Sequence, residues 1–308
     1  MSEIKVSIIT LAYNHEPYIR QCIEGFLMQK TDFDFEILIH DDASTDNTAA
    51  IIREYQNKFP NIIKPIFQNE NQYSKGIPIG ATFLYPRAKG KFIAECEGDD
   101  YWTDPLKLKK QVDILEKNSE LMAVVTNSSI VDKQGVVLQE RIDRVYPGNI
   151  QGCYNLHDYF RSVPRYPTAT VMFRNIHQEE ILKKISHIQN KYLGDWALWA
   201  ILHSYGDFYY LDEVTAAYRI NPTSLTHTAD RVGRAKAHKT ICKALSEVLP
   251  VEYSSYLKED GWMCFAVFMA YRKEKKYLHA VAYLFWCMLR YPSYTFCKLR
   301  TLVKNNSI

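Results

Sequence analysis

Ala94-Glu95-Cys96-Glu97-Gly98-Asp99-Asp100-Tyr101-Trp102 is the stretch from which the architecture is read. The apolar run that leads into it, Lys91-Phe92-Ile93-Ala94, reads as a buried strand, and that strand discharges at once into carboxylates crowded around one glycine. Like charges at this spacing raise one another's pKa unless a cation is held between them. Carboxylate oxygens suit hard ions, and Mg²⁺ usually completes its shell from waters and substrate phosphates. Glu97, Asp99 and Asp100 are therefore a candidate site for Mn²⁺ or Mg²⁺ with a diphosphate, past the carboxyl end of a strand where open α/β sheets bind ligands. The alternative is a solvated acidic turn before a helix that Asp104 caps, with Pro105 at its first position. Asp104 is assigned to capping alone, while the neighbouring aromatics Tyr101 and Trp102 favour a site for the other three.

With 308 residues, 47% hydrophobic and 24% charged, the chain is an ordinary globular one, long enough for one large domain or two small ones. A net charge of +3 is too small to argue for nucleic acid. The 7 cysteines contain no C-x-x-C pair and leave one over if paired, which fits scattered thiols in a reducing compartment and not a disulfide frame or a zinc site. The opening run from Val6 to Leu11 passes into Tyr13-Asn14-His15 without a small-residue cleavage site, so a cytoplasmic protein is expected.

Residues 5–12 read as a buried strand, and 16–30 as a helix with Ile19, Cys22, Ile23, Phe26 and Leu27 on one face, Asn14 as its cap and Pro17 in its first turn. A second strand at 35–40 ends in Asp41-Asp42-Ala43-Ser44-Thr45-Asp46, whose last residues cap a helix running to about 59. A third strand at 62–67, a polar loop through Lys75-Gly76 and a short helix near Ala81 lead to the strand before the acidic cluster. Strands alternating with helices at this spacing imply a mostly parallel sheet with right-handed crossovers. Neither G-x-G-x-x-G nor G-x-x-x-x-G-K-[ST] is present, which argues against dinucleotide dehydrogenases and P-loop phosphotransferases.

Taken in order, the run from Val6 to Asn14, then residues 41–46, then Glu97-Gly98-Asp99-Asp100-Tyr101-Trp102, resemble the motif set of family 2 glycosyltransferases over residues 4–220. The resemblance implies an α/β GT-A fold, inversion at the transferred sugar and a nucleotide-sugar donor. It also implies that Tyr13 packs on the nucleobase, that Asp42 accepts a hydrogen bond from it, and that Asp99 and Asp100 serve the ribose and the metal-bridged diphosphate. Such roles suit the chemistry, because a tyrosine supplies a flat apolar face and a carboxylate accepts an N–H. Glu97 stands where the family's first metal aspartate falls, one methylene longer, and Lys75 lies in the loop where similar enzymes place a basic residue.

Farther on, residues 121–127 and 168–173 read as strands, and 131–139 as a hairpin arm turning at Gln134-Gly135. A helix opening in Tyr192-Leu193-Gly194-Asp195-Trp196-Ala197-Leu198-Trp199 places Asp195 where the family carries its catalytic carboxylate. An attacking hydroxyl must lose its proton as the new bond forms, and Asp195 is the candidate base; simple capping is the alternative. Trp196 is a candidate acceptor contact, although core packing suits both Trp196 and Trp199. The resemblance implies a basic or histidine-bearing segment that closes over the donor phosphates here, which makes Arg219, on a late strand at 214–220, and His227 beyond it candidates.

Residues 1–228 are expected to form the catalytic domain, with a nucleotide-binding half at 1–104 and an acceptor half at 105–228. Residues 229–308 become helical and basic. The apolar stretches 262–271 and 277–289, the second apolar on all sides but for His279, have basic flanks. They read either as a contact with an inner membrane face or as a hairpin packed on protein or a second subunit. The expected activity is transfer of a hexose, from UDP in the first instance, to a glycan or lipid-linked glycan in cell-surface polysaccharide synthesis. A nucleotidyltransferase and a non-catalytic carbohydrate-binding relative are the competing readings, and nucleic acid is not an expected partner.

Overall fold

A computed structural model of the chain describes residues 3–142, 145, 150–162, 166–175, 178–188, 194–220, 231–257, 261–293, 295–296 and 298–299. Strand β1 (Ile4–Ala12) is buried along most of its length, as a β-branched run must be when both sheet faces are covered. It pairs in parallel with β2 (Asp34–Asp41) on one side and β4 (Phe92–Glu95) on the other, and β3 (Ile63–Phe67) extends the parallel set beyond β2. Between them run α1 (Ile19–Leu27), which buries Ile19, Cys22, Ile23 and Phe26, and α2 (Thr48–Lys58), which buries Ile52 and Tyr55.

Past β4 the sheet changes character. Its order is β3-β2-β1-β4-β9-β6-β10-β5, through β9 (Val171–Arg174), β6 (Leu121–Val131), β10 (Asp207–Arg219) and β5 (Tyr101–Trp102). β9 is antiparallel to both β4 and β6, whereas β6 and β10 are parallel. The parallel set therefore covers β3 to β4, and the rest is mixed. The hairpin arm forms as β7 (Val137–Gln139) against β6, its turn passing through Gly135 at φ 86°. The short strand β8 (Gly152–Tyr154) pairs with β10. Residues 168–170, expected to be extended, form a 3₁₀ turn, and extension begins only at Val171.

Trp102, expected to flank a site, is a core residue. It is buried edge-on against Phe26 with ring centroids 4.7 Å apart, and its indole N–H donates to the Ala169 carbonyl at 2.9 Å. α1 can approach β5 this closely because Gly25 has no side chain; a Cβ there would lie 3.0 Å from the Trp102 nitrogen. Beneath Trp102, α3 (Lys107–Lys117) begins with a fully buried lysine. Lys107 Nζ donates to Gln111 Oε1 at 2.5 Å and to the Thr170 carbonyl at 3.4 Å, and lies 5.0 Å from the Trp102 ring centroid. Burial pulls its pKa down to about 7, against the opposing pull of Cys96 and Asp104.

Three further helices complete this part of the chain: α4 (Leu156–Ser162), α5 (Gln178–His187) and α6 (Gly194–His203). The chain divides into two compact units, one of Met1–Lys191 with Leu198–Pro222 and one of Tyr192–Ala197 with Thr223–Ile308. All the strands among the described residues lie in the first, in one continuous sheet that runs across the boundary expected at 104. The second unit contains α7 (Arg231–Val248), α8 (Ser254–Leu257), α9 (Gly261–Lys273) and α10 (Tyr277–Arg290). Val232, Phe265, Val267, Phe268, Tyr271 and Ala280 form its core. The two apolar stretches thus part company. The described side chains of α9 from Phe265 to Tyr271 pack in this core, whereas α10 is not uniform around its circumference: it buries Ala280 and Cys287 and exposes Leu278, Val281, Phe285 and Leu289. Among the described residues no helix is long and apolar enough to cross a membrane.

Candidate active site

The register of the sheet brings three strand ends together. Ala12 is opposite Asp41 and Ile9 is opposite Glu95, so the loops after β1, β2 and β4 leave the sheet side by side. Backbone bonds continue the pairing into those loops: Asp42 N–H donates to the Ala12 carbonyl at 2.9 Å, and Gly98 N–H to the Leu11 carbonyl at 2.9 Å.

Side chains then tie the first two loops to each other. Asn14 N–H donates to Ser44 Oγ at 2.9 Å, and Asn14 Oδ1 accepts from Thr45 N–H at 2.8 Å. One residue on, His15 N–H donates to Thr48 Oγ1 at 2.8 Å and Glu16 N–H to Asp46 Oδ2 at 3.0 Å. Asn14 and Ala43 both adopt left-handed backbone, at φ 56° and 59°, a costly state for a residue with a side chain. The cross-links offset that cost. Asn14 does not cap α1, which begins only at Ile19; its amide is engaged by the neighbouring loop. Asp46 does serve α2, accepting from Thr48 N–H at 2.9 Å.

Tyr13 leaves this junction with its side chain in solvent, 44% exposed, as a stacking platform requires. Asp42 is buried and has partners within the chain: Oδ1 accepts from Gln72 N–H at 2.8 Å and Oδ2 from Tyr73 N–H at 3.0 Å. Each oxygen retains a further lone pair. In Asp41, by contrast, Oδ1 is buried without a hydrogen-bond partner, and burial raises the pKa of that carboxyl. Lys75 lies on the surface in an ion pair with Glu70.

The acidic turn sits against the first loop. A Cβ on Gly98 would stand 2.7 Å from His15 Nδ1 and 3.1 Å from the Leu11 carbonyl oxygen, so only glycine fits without displacement. Asp99 and Asp100 are buried and Glu97 is exposed. Burial, with the Asp99 charge beside it, holds the Asp100 carboxyl well above the usual carboxylate range, although the Arg219 amide and charge oppose this. His15 Nε2 lies 4.0 Å from Asp99 Oδ2; burial lowers its pKa while Asp99, Asp46 and Asp41 pull it upward.

Arg219 is placed behind the acidic turn. It is buried at the end of β10, where its N–H donates to Asp100 Oδ1 at 2.8 Å and its Nε to the Asp99 carbonyl at 2.8 Å. The remaining guanidinium bonds go to the carbonyls of Asp132 and Lys133 and to Gln21 Oε1. The Tyr18 and Tyr101 rings flank the cation at 4.7 and 5.3 Å. Its partners are therefore protein groups, and it braces the acidic turn from behind.

Two buried carboxylates, one with its charged form disfavoured, are a donor set that a divalent cation would relieve. Among the described residues no three His, Cys, Asp or Glu side chains gather into a complete metal cage. Asp99 and Asp100 fit an ion that takes the rest of its shell from phosphate and water, as Mg²⁺ does.

Asp195 lies in the exposed first turn of α6. Trp196 is half-buried, its ring centroid 5.0 Å from that of His238, and Trp199 is buried at 6.3 Å from Phe173. His227 falls outside the described residues. Two features escaped the sequence reading: the contact of His15 with the acidic turn and the bracing role of Arg219. His15 could have been found from its place two residues after Tyr13, whereas nothing local marks Arg219 as the partner of Asp99 and Asp100.

The model of the family described as "Glycosyl transferase family 2" matches residues 7–190. An uncharacterized protein of Mycobacterium tuberculosis (strain ATCC 25618 / H37Rv) is 46% identical over 117 residues, 37% of this chain and 32% of the relative. The chain thus matches about a third of the length of that mycobacterial relative. The putative teichuronic acid biosynthesis glycosyltransferase TuaG of Bacillus subtilis (strain 168) is 26% identical over 230 residues, covering 72% of this chain and 81% of TuaG. Among solved structures, S. aureus TarS 1-349 in complex with UDP-GlcNAc superposes with a TM-score of 0.59 at 17% identity, over 87% of this chain and 71% of that one. The mannosyltransferase PcManGT from Pyrobaculum calidifontis, in complex with GDP-Man and Mn²⁺, gives 0.57 at 16% identity, over 99% and 81%. At these identities the structural likeness concerns the fold, which is of the GT-A type.

Proposed function

Because this chain belongs to glycosyl transferase family 2, we propose that it is an inverting, metal-dependent glycosyltransferase that moves a hexose from a nucleotide donor, a UDP-sugar in the first instance, to a glycan or lipid-linked glycan. The observation that carries the reading is the junction of three strand ends, where Tyr13, Asp42 and the Asp99-Asp100 pair emerge from one hydrogen-bonded set of loops. The UDP-GlcNAc held by TarS supports the donor class, and the name of TuaG supports a place in polysaccharide synthesis.

In this reading the Tyr13 ring stacks on the base, and Asp42 uses a remaining lone pair to accept a base N–H. Asp99 and Asp100 hold Mn²⁺ or Mg²⁺, with Glu97 at the solvent edge of the turn. The ion, when bound, neutralises charge on the departing nucleoside diphosphate. Asp195 takes the proton of the acceptor hydroxyl as that oxygen bonds to the anomeric carbon, while the bond from that carbon to the diphosphate oxygen breaks on the opposite face. Displacement of this geometry inverts the configuration. An acceptor carried on a lipid would set this chemistry at the cytoplasmic face of a membrane.

The test is a screen of nucleotide sugars for nucleoside diphosphate release, with Mn²⁺ and with EDTA. Release from one donor class that EDTA abolishes is the expected result. Release that is indifferent to the metal, or none from any donor with acceptor present, would overturn the reading.

A further inference from the structure

We propose that α10 is an interfacial helix that lays Leu278, Val281, Phe285 and Leu289 into the surface of an anionic lipid bilayer. At about 100° per residue these positions fall on one stripe of the helix, and the buried Ala280 and Cys287 fall on the opposite side. Leu278 is 87% exposed and Leu289 70%, so the stripe meets water along the length of the helix. A continuous apolar row of this kind on a polar-rimmed surface marks a place where something binds. Trp286 and Tyr277 border it, amphipathic rings of the sort that settle at headgroup depth.

The charges around the stripe select the occupant. Arg272 and Lys273 close α9, Lys275 and Lys276 precede α10, Arg290 ends it and Lys298 follows, all of them exposed. Glu274 is the sole acidic residue among the described positions from 272 to 299, and it pairs with Lys276 at 2.6 Å. A second copy docking through the same face would bring a like-charged rim against this one. Anionic lipid supplies the opposite charge, each lysine or arginine near such a surface adding about fivefold in affinity. A helix of 14 residues is about 21 Å long, short of the roughly 30 Å hydrocarbon core, so α10 lies in the interface and does not span it.

Flotation of the full chain with vesicles of phosphatidylglycerol and phosphatidylcholine in equal parts, and with phosphatidylcholine alone, tests this at low and high salt. Binding to the mixed vesicles that weakens with salt is expected, with about fivefold loss for Lys275→Gln and again for Arg290→Gln. Leu278→Asp combined with Phe285→Asp should abolish binding while circular dichroism shows a folded chain. The proposal falls if the chain ignores the mixed vesicles at low salt, if it binds neutral vesicles equally, or if the double variant binds as the parent does. It also falls if sedimentation shows a dimer that the double variant dissociates and no vesicle binding is seen. Nucleoside diphosphate release from a soluble acceptor assay is a separate readout, so loss of either property leaves the other measurable.

Discussion

The strand-end junction of the first unit and helix α10 of the second depart from ordinary folding physics in opposite directions. The junction withdraws carboxylates from water: Asp100 is buried with its charged form disfavoured, and Asp41 keeps a buried oxygen without a partner. α10 does the reverse and leaves apolar side chains in water. Hydrophobic burial and polar solvation are the two large contributions a fold normally satisfies together, and each region leaves one of them unmet. Sites that await a ligand are where such deficits are tolerated, and the sign of the deficit tells what is missing: positive charge at the junction, apolar surface at the helix.

Asp195 gives the strongest way to test the chemistry proposed for the junction. Asp195→Asn is expected to lower turnover by about 10²–10⁴-fold with donor affinity retained, measured by product formation and by donor titration in parallel. Normal turnover would remove the residue from the reaction.

Asp100→Asn separates stability from function. The substitution keeps an oxygen for the Arg219 N–H and removes the charge. Because the folded-state pKa is raised, the carboxyl destabilises the fold as pH climbs through and above its ordinary range. The asparagine variant should therefore melt higher than the parent at neutral pH without metal, and its melting should not respond to Mn²⁺, whereas an upward shift is expected for the parent. Activity should drop by about a hundredfold or more. A variant less stable than the parent would mean that the buried charge is compensated by other groups.

Gly98→Ala sharpens the geometric side of the comparison by pressing a methyl on His15 and the Leu11 carbonyl. A loss of about 1–3 kcal/mol in denaturant unfolding is expected, with weaker donor binding. Lys107 is read out as a pH slope, because its folded pKa of about 7 lies below the 10.5 of a free lysine. Charging it in the interior costs the folded state below pH 7, so stability should rise between about pH 7 and 10; Lys107→Met should flatten that rise in melting curves taken across the range. Least of all, Leu278→Asp should change stability by no more than about 0.5 kcal/mol, because the side chain it replaces contributes little to the core.

The first four strands and the loops carrying Tyr13, Asp42 and Asp99-Asp100 could be read from the sequence because periodicity is local and acidic residues after an apolar run are conspicuous. Spacing alone points to Asn14 as a cap, whereas its engagement by Thr45 depends on a register between strands that no local pattern encodes. Trp102 looked like a site aromatic because it adjoins the acidic cluster, yet its partners Phe26 and Ala169 lie far away in sequence. Arg219 bonds chiefly to backbone carbonyls, which every residue possesses, so no side-chain pattern announces it. α9 and α10 have similar composition, and only their neighbours decide which one is enclosed.

The bond from Arg219 to the Asp99 carbonyl joins positions 120 residues apart. A ribosome delivers the acidic turn long before it delivers the arginine that braces it. A nascent chain, or a fragment cut before β10, therefore holds the acidic letters of the motif without the wall that shapes them. The bracing of that turn is in this sense a property of the finished topology, acquired only when β10 joins the sheet.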